Sequence, residues 1–184
     1  MNTYVIFMRG INVGGKNKIP MAELKLYLEE QGFESVVTYI QSGNVVLRSD
    51  LDAEALSAEI EDMLSRKFKL DSSIIRVVAF EYKTFKEIVM QAPKEFGKDN
   101  ASYRYNVIFL INYSPSKAME QIDPRQGVDE VWQGEKAIYY RNSIPNASKS
   151  YLSKITQQPM YQSITIRNWN TTTKLLKLLE EQKI

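Results

Sequence analysis

The order of apolar segments along this chain repeats, and that repetition restricts the fold more than any single segment does. Tyr4-Val5-Ile6-Phe7-Met8 is a short run of aromatic and β-branched residues, which predicts a strand. A Gly- and Asn-rich loop follows from Gly10 to Lys18. Pro20 then opens a helix in which Met21, Leu24 and Leu28 recur at helical spacing, and Gly32 stops it. Val36 to Ile40 and Val45 to Leu47 are strands joined by a tight turn at Ser42-Gly43-Asn44. Asp52 caps a helix to about Phe68, with Leu56, Ile60, Met63 and Leu64 on one face. Ile74 to Phe80 is the fourth strand. The order is βαββαβ.

Thr84 and Glu87 have the spacing of a capping box, and Phe85, Ile88, Val89 and Ala92 form an apolar stripe that Pro93 ends. The stretch 94–104 is polar and irregular, so the expected boundary divides the chain into 1–93 and 94–184. The second part repeats the order. Tyr105 to Ile111 is a strand, and Ser114-Pro115 opens a helix to about Ile122. Val128 to Trp132 and Lys136 to Arg141 are strands with a turn at Gly134. Ala147 to Ile155 is a short helix, and Ser163 to Ile166 a strand. Asn170 or Thr171 caps a last helix that buries Leu175, Leu176 and Leu179. The expected fold class is α+β, with two ferredoxin-like βαββαβ subdomains arising from an internal duplication and strand order 4-1-3-2 in each. A single irregular α+β domain without duplication is the alternative reading of the same segments.

Composition bears on function mainly through what is missing. The 184 residues contain neither histidine nor cysteine. Ser-His and Cys-His catalysis are excluded, as are zinc sites of the usual type. No metal and no cofactor are expected from any motif. The hydrophobic fraction of 43% suits a packed core, and no apolar run approaches the roughly 20 residues that span a bilayer. With no secretory signal and no cysteine, a cytoplasmic location is expected. A net charge of +2 lacks the basic excess of a dedicated nucleic-acid binder.

Three polar clusters carry what chemistry the sequence offers. The first, Arg9 to Asn17, places three of the eight glycines in six positions and adds Asn12 and Lys16. Glycine exposes backbone N–H groups, and Arg9 and Lys16 supply positive charge, so a phosphate or carboxylate is the natural guest of Gly14 and Gly15; a structural turn is the competing reading. Gly10 to Lys16 matches G-x-x-x-x-G-K. However, Asn17 stands where a P-loop has Ser or Thr, and Ile19-Pro20 delays the helix, so a P-loop NTPase is rejected. The second cluster is Gln41-Ser42-Gly43-Asn44. In a βαββαβ unit it lies at the same sheet end as the loop after the first strand. The third runs from Thr165 to Lys174 and includes Arg167, Asn168 and Trp169. Arg167 offers a planar fork to an anion, and Trp169 a ring; capping plus packing is the competing reading.

Together these clusters resemble a family of small, mainly bacterial proteins called domain of unknown function 1697. The resemblance rests on RGINVGG at Arg9 to Gly15, M-x-x-L at Met21 to Leu24, TY-x-QSGN at Thr38 to Asn44, and T-x-RNW-x-T at Thr165 to Thr171 followed by Lys174-Leu175. It implies paired ferredoxin-like subdomains and supplies no catalytic residue. The expected ligand-binding residues are Arg9, Asn12, Gly14, Gly15, Lys16, Ser42, Gly43, Asn44, Arg167, Asn168 and Trp169. They would form an anionic-ligand site between the Gly-rich loop and the RNW segment. Nucleic-acid binding through Tyr139 and Tyr140, and a non-catalytic protein-interaction module, are the alternatives. No motif encodes an oligomeric state.

Overall fold

The computed structural model describes residues 1–71 and 75–182. It is a mixed α+β structure with two four-stranded antiparallel sheets. By contacts the chain separates into two compact units, Met1–Lys86 with Leu175–Ile184, and Glu87–Lys174.

In the first unit, β1 (Asn2–Arg9), β2 (Glu34–Tyr39), β3 (Asn44–Ser49) and β4 (Arg76–Glu81) are ordered β2-β3-β1-β4. This is the expected 4-1-3-2 order read from the other edge. Ile74, expected to begin the fourth strand, lies outside the described residues. β1 is buried from Thr3 to Met8, which is why it reads as an unbroken apolar run rather than an alternation. Tyr4, Ile6 and Met8 share one face with Val45, Leu47, Val77 and Ala79. Against that face pack α1 (Met21–Glu30), through Leu24 and Leu28, and α2 (Ala53–Lys67), through Leu56, Ile60, Met63 and Leu64. Asp52 caps α2 by accepting the N–H groups of Glu54 and Ala55. On the opposite face Val5, Phe7 and Val46 are also buried, and Phe7 meets Phe80 and Phe85 edge-on at 6.1 and 6.0 Å.

The second unit keeps the same order. β5 (Tyr103–Leu110), β6 (Asp129–Gln133), β7 (Ala137–Ser143) and β8 (Ile164–Asn168) run β6-β7-β5-β8, with α4 (Pro115–Met119) after β5. The helix expected over Ala147 to Ile155 is not α-helical. It is replaced by three 3-10 segments, Ala147–Lys149, Tyr151–Gln157 and Pro159–Ser163. Local bonds decide this: the Ser150 hydroxyl accepts the Leu152 N–H and donates to Asp129, whose carboxylate also takes the Tyr151 N–H. Pro159 then forbids continuation, while Tyr151, Ile155 and Met160 still reach the core.

Two helix starts also differ from expectation. α3 (Tyr82–Met90) begins immediately after β4, so Thr84 lies inside the helix and is no cap. Burial of Phe85 and Ile88, not a capping box, fixes that start. α5 (Trp169–Glu181) is capped by Asn168, whose Oδ1 accepts the Asn170 N–H at 2.9 Å, so neither Asn170 nor Thr171 is the cap. Leu175 and Leu179 are buried as expected, and Leu176 only half-buried.

Candidate functional site

The first and second clusters meet at one end of the first sheet. The connection from β1 to α1 is held shut by two asparagines with φ of 53° and 46°, Asn12 and Asn17, a residue type that tolerates the left-handed region. Asn17 is buried; its Nδ2 donates to the Gly10 carbonyl at 2.7 Å, and its backbone and side chain exchange bonds with Asp71 at 2.7 and 2.8 Å. Asn12 is the joint between the two loops. Its amide donates to the carbonyls of Ile19 and Gln41, at 3.0 and 2.9 Å, and accepts the Ile19 N–H at 2.8 Å. One side chain thus ties the Gly-rich loop to the turn before β3.

The glycines play distinct parts. Gly14 and Gly15, at φ of 59° and 77°, form the tip of a tight turn closed by the Lys16 N–H on the Val13 carbonyl at 3.0 Å. A side chain at either would meet nothing. The tip is exposed, with Lys16 beside it. Gly43 is needed for a close approach: a Cβ there would lie 2.8 Å from Ile11 Cδ1 and 2.9 Å from the Met8 backbone oxygen. That glycine lets the turn lie on β1, where its carbonyl accepts the Met8 N–H at 2.8 Å. Asn44 is fully buried; its amide donates to the Tyr39 carbonyl and the Ser42 hydroxyl, and its Oδ1 has no partner within the described residues.

Antiparallel register adds a residue that the sequence reading missed. Arg9 stands directly opposite Arg76, so two guanidinium side chains leave the same face of neighbouring strands. Arg76 carried no sequence signal, because the register of β4 on β1 is not written in either segment. Asp71 is the acidic neighbour of the loop, and its carboxylate is engaged by the Asn17 N–H.

Arg167, Asn168 and Trp169 belong to the second unit. Arg167 pairs in register with Val107, and desolvation lowers its pKa to about 10, which leaves it charged at neutral pH. Asn168 is the α5 cap and donates to the Tyr105 carbonyl at 3.3 Å. Trp169 packs edge-on to Phe96 at 5.1 Å and covers Gly97, where any Cβ would run into the indole.

A cleft of about 550 Å³ lies elsewhere in the first unit, at the beginning of β1, lined by Thr3, Arg48, Tyr82, Lys83 and Gln182 among others. Two of its cationic groups are already paired. The Met1 amine lies 2.9 Å from Asp50, and Arg48 4.0 Å from Glu34. Among the described residues no group of acidic side chains is placed to hold a metal ion, and no helix is long and apolar enough to cross a membrane.

Residues 1–140 match the model of a family described as protein of unknown function, DUF1697. The chain belongs to that family. The matched span contains Arg9 to Lys16, the Ser42-Gly43-Asn44 turn and Arg76, and stops before Arg167. Among solved structures, a conserved bacterial protein from Streptococcus pneumoniae, SP0830, is similar. It shares 27% identity at a TM-score of 0.77, over 97% of this chain and 98% of that one. No curated protein matches.

Proposed function

We propose that the protein binds a small anionic ligand, bearing phosphate or carboxylate, at the Arg9 end of the first sheet. The observation that carries the reading is the Arg9–Arg76 pair: two guanidinium groups on one face of neighbouring strands, which one anion would bridge. Lys16 adds a third cation, and the exposed Gly14-Gly15 tip adds backbone donors. Asn12 ties the glycine-rich loop to the turn before β3, so the loop backbone at this sheet end is held before a ligand arrives. Binding without chemistry is the reading supported, since the groups it gathers are guanidinium, ammonium and backbone N–H donors.

Contact with RNA is the weaker reading. Tyr139 and Tyr140, the ring pair on which it rests, are both buried, and the Tyr139 hydroxyl donates to the Ile88 carbonyl. Neither ring is open to a base, as stacking requires.

Calorimetric titration with pyrophosphate at low salt tests the proposal. Binding should weaken at least tenfold in Arg76→Ala and weaken as salt is raised. Equal affinity in wild type and variant, or no binding of any di- or monophosphate, contradicts it.

A further inference from the structure

Beyond charge, this sheet end presents apolar groups, and this inference rests on the anion reading above. Val13, at the turn beside Gly14, is 66% exposed, and Ile40, between β2 and Gln41, is 50% exposed. Each is next in sequence to one partner of the Asn12–Gln41 hydrogen bond, so both flank the same joint. Ile40 also has φ of 49°. The other non-glycine residues in that region among the described residues are Asn12, Asn17 and Asn112, whose type tolerates it, and Ser35, which has no branch at Cβ. A β-branched residue does not, and its appearance there is an outlier. The turn would form more readily with glycine or asparagine at position 40. An isoleucine there loses twice, by backbone strain and by holding apolar surface in water, and backbone strain of this sort clusters at ligand sites.

We infer that the ligand is an amphiphilic anion, with its phosphate or carboxylate head at Arg9, Arg76 and Lys16 and an apolar or aromatic body against Ile40 and Val13. The head alone is recognised by charge. The body is recognised by removing Ile40 and Val13 from water, which sets the preference among anions of equal charge. Lysine and arginine beside exposed aliphatic side chains would also suit an anionic membrane, but two aliphatic side chains on separate loops offer little area to a bilayer.

The test compares orthophosphate with phenyl phosphate by calorimetry on the full chain at about pH 8, where both are mainly dianions. Wild type should bind phenyl phosphate about tenfold more tightly than orthophosphate. Ile40→Gly should abolish that preference, leave orthophosphate affinity unchanged and raise the melting temperature, because glycine accepts the positive φ. Val13→Ser, with no backbone strain to relieve, should reduce the preference without raising the melting temperature. If the two phosphates bind equally to wild type, or if Ile40→Gly keeps the preference, the inference is overturned while the anion site stands. If neither phosphate binds, the anion reading itself fails. Co-sedimentation of wild type with phosphatidylglycerol vesicles, lost in Ile40→Gly, together with no phenyl phosphate preference, would overturn the inference in favour of a membrane.

Discussion

The two sheets share a strand order but not a chemistry at corresponding ends. Phe7 of β1 faces Asn44, the first residue of β3, and Phe109 of β5 faces Ala137, the first residue of β7. Aligning the sheets on these pairs sets Arg9 against Ile111 and Asn44 against Ala137. It also sets Arg76, opposite Arg9, against Ser163, whose carbonyl accepts the Ile111 N–H at 2.8 Å. The connection after β1 is a long, stapled, glycine-rich loop, whereas that after β5 passes quickly to α4 at Pro115. One frame therefore closes with Ile111, Ala137 and Ser163, and the other carries Arg9, Asn44 and Arg76. The comparison teaches that the charged end is not required by the fold, since its counterpart is built without it.

The largest expected effect probes how the second unit holds together in place of a full helix. Asp129 is buried and accepts bonds from Ser150 Oγ at 2.7 Å, Tyr151 N at 2.9 Å and Arg125 N at 3.1 Å. Asp129→Ala strands all three donors and should cost about 3 kcal/mol in urea denaturation. An unchanged midpoint would remove the polar anchor from the account. Next comes the first unit's turn. Gly43→Ala meets both a φ of 74° and the Met8 backbone, and should cost about 2 kcal/mol. Gly14→Ala, which meets only an unfavourable φ, should cost less.

The acid dependence of stability gives a smaller effect. Desolvation pushes the Asp129 pKa up, but the Tyr151 N–H, the Ser150 hydroxyl and the Arg125 N–H outweigh it and the net shift is downward. A lowered carboxylate pKa contributes stability that is present above its unfolded value, about 4, and lost as pH falls through the folded one. Wild type should therefore lose stability below about pH 4, and Asp129→Asn should flatten that part of the curve. The smallest effect is Arg76→Ser, which copies the second sheet. Because Arg76 is exposed, the unliganded variant should stay within about 0.5 kcal/mol of wild type in urea denaturation.

Much of the frame was legible because core faces leave a pattern. The buried run of β1, the Met21-Leu24-Leu28 stripe and the Asp52 cap each follow from local spacing. The misses have a common origin in contacts distant along the chain. Thr84 and Glu87 have capping-box spacing, yet β4 delivers the chain into α3 before Thr84. Ala147 to Ile155 has helical composition, yet Asp129, from another strand, takes the bonds of Ser150 and Tyr151. The site was legible in the same proportion. Gly10, Gly43 and Asn44 stand out because turns need particular residues, and Lys16 because it adjoins them. Arg76 is one charged residue at a strand start, and only register reveals its partner. Ile40 reads as a strand residue from its type, and only its backbone angle marks it as unusual.

The charged sheet end is put at stake by calorimetric titration of pyrophosphate into wild type and into the double variant Arg9→Ile, Arg76→Ser, which gives the first sheet the end that the second already has. Wild type should bind, the double variant should not, and the variant should still unfold in one cooperative transition. Equal binding by the two proteins would contradict the anion site.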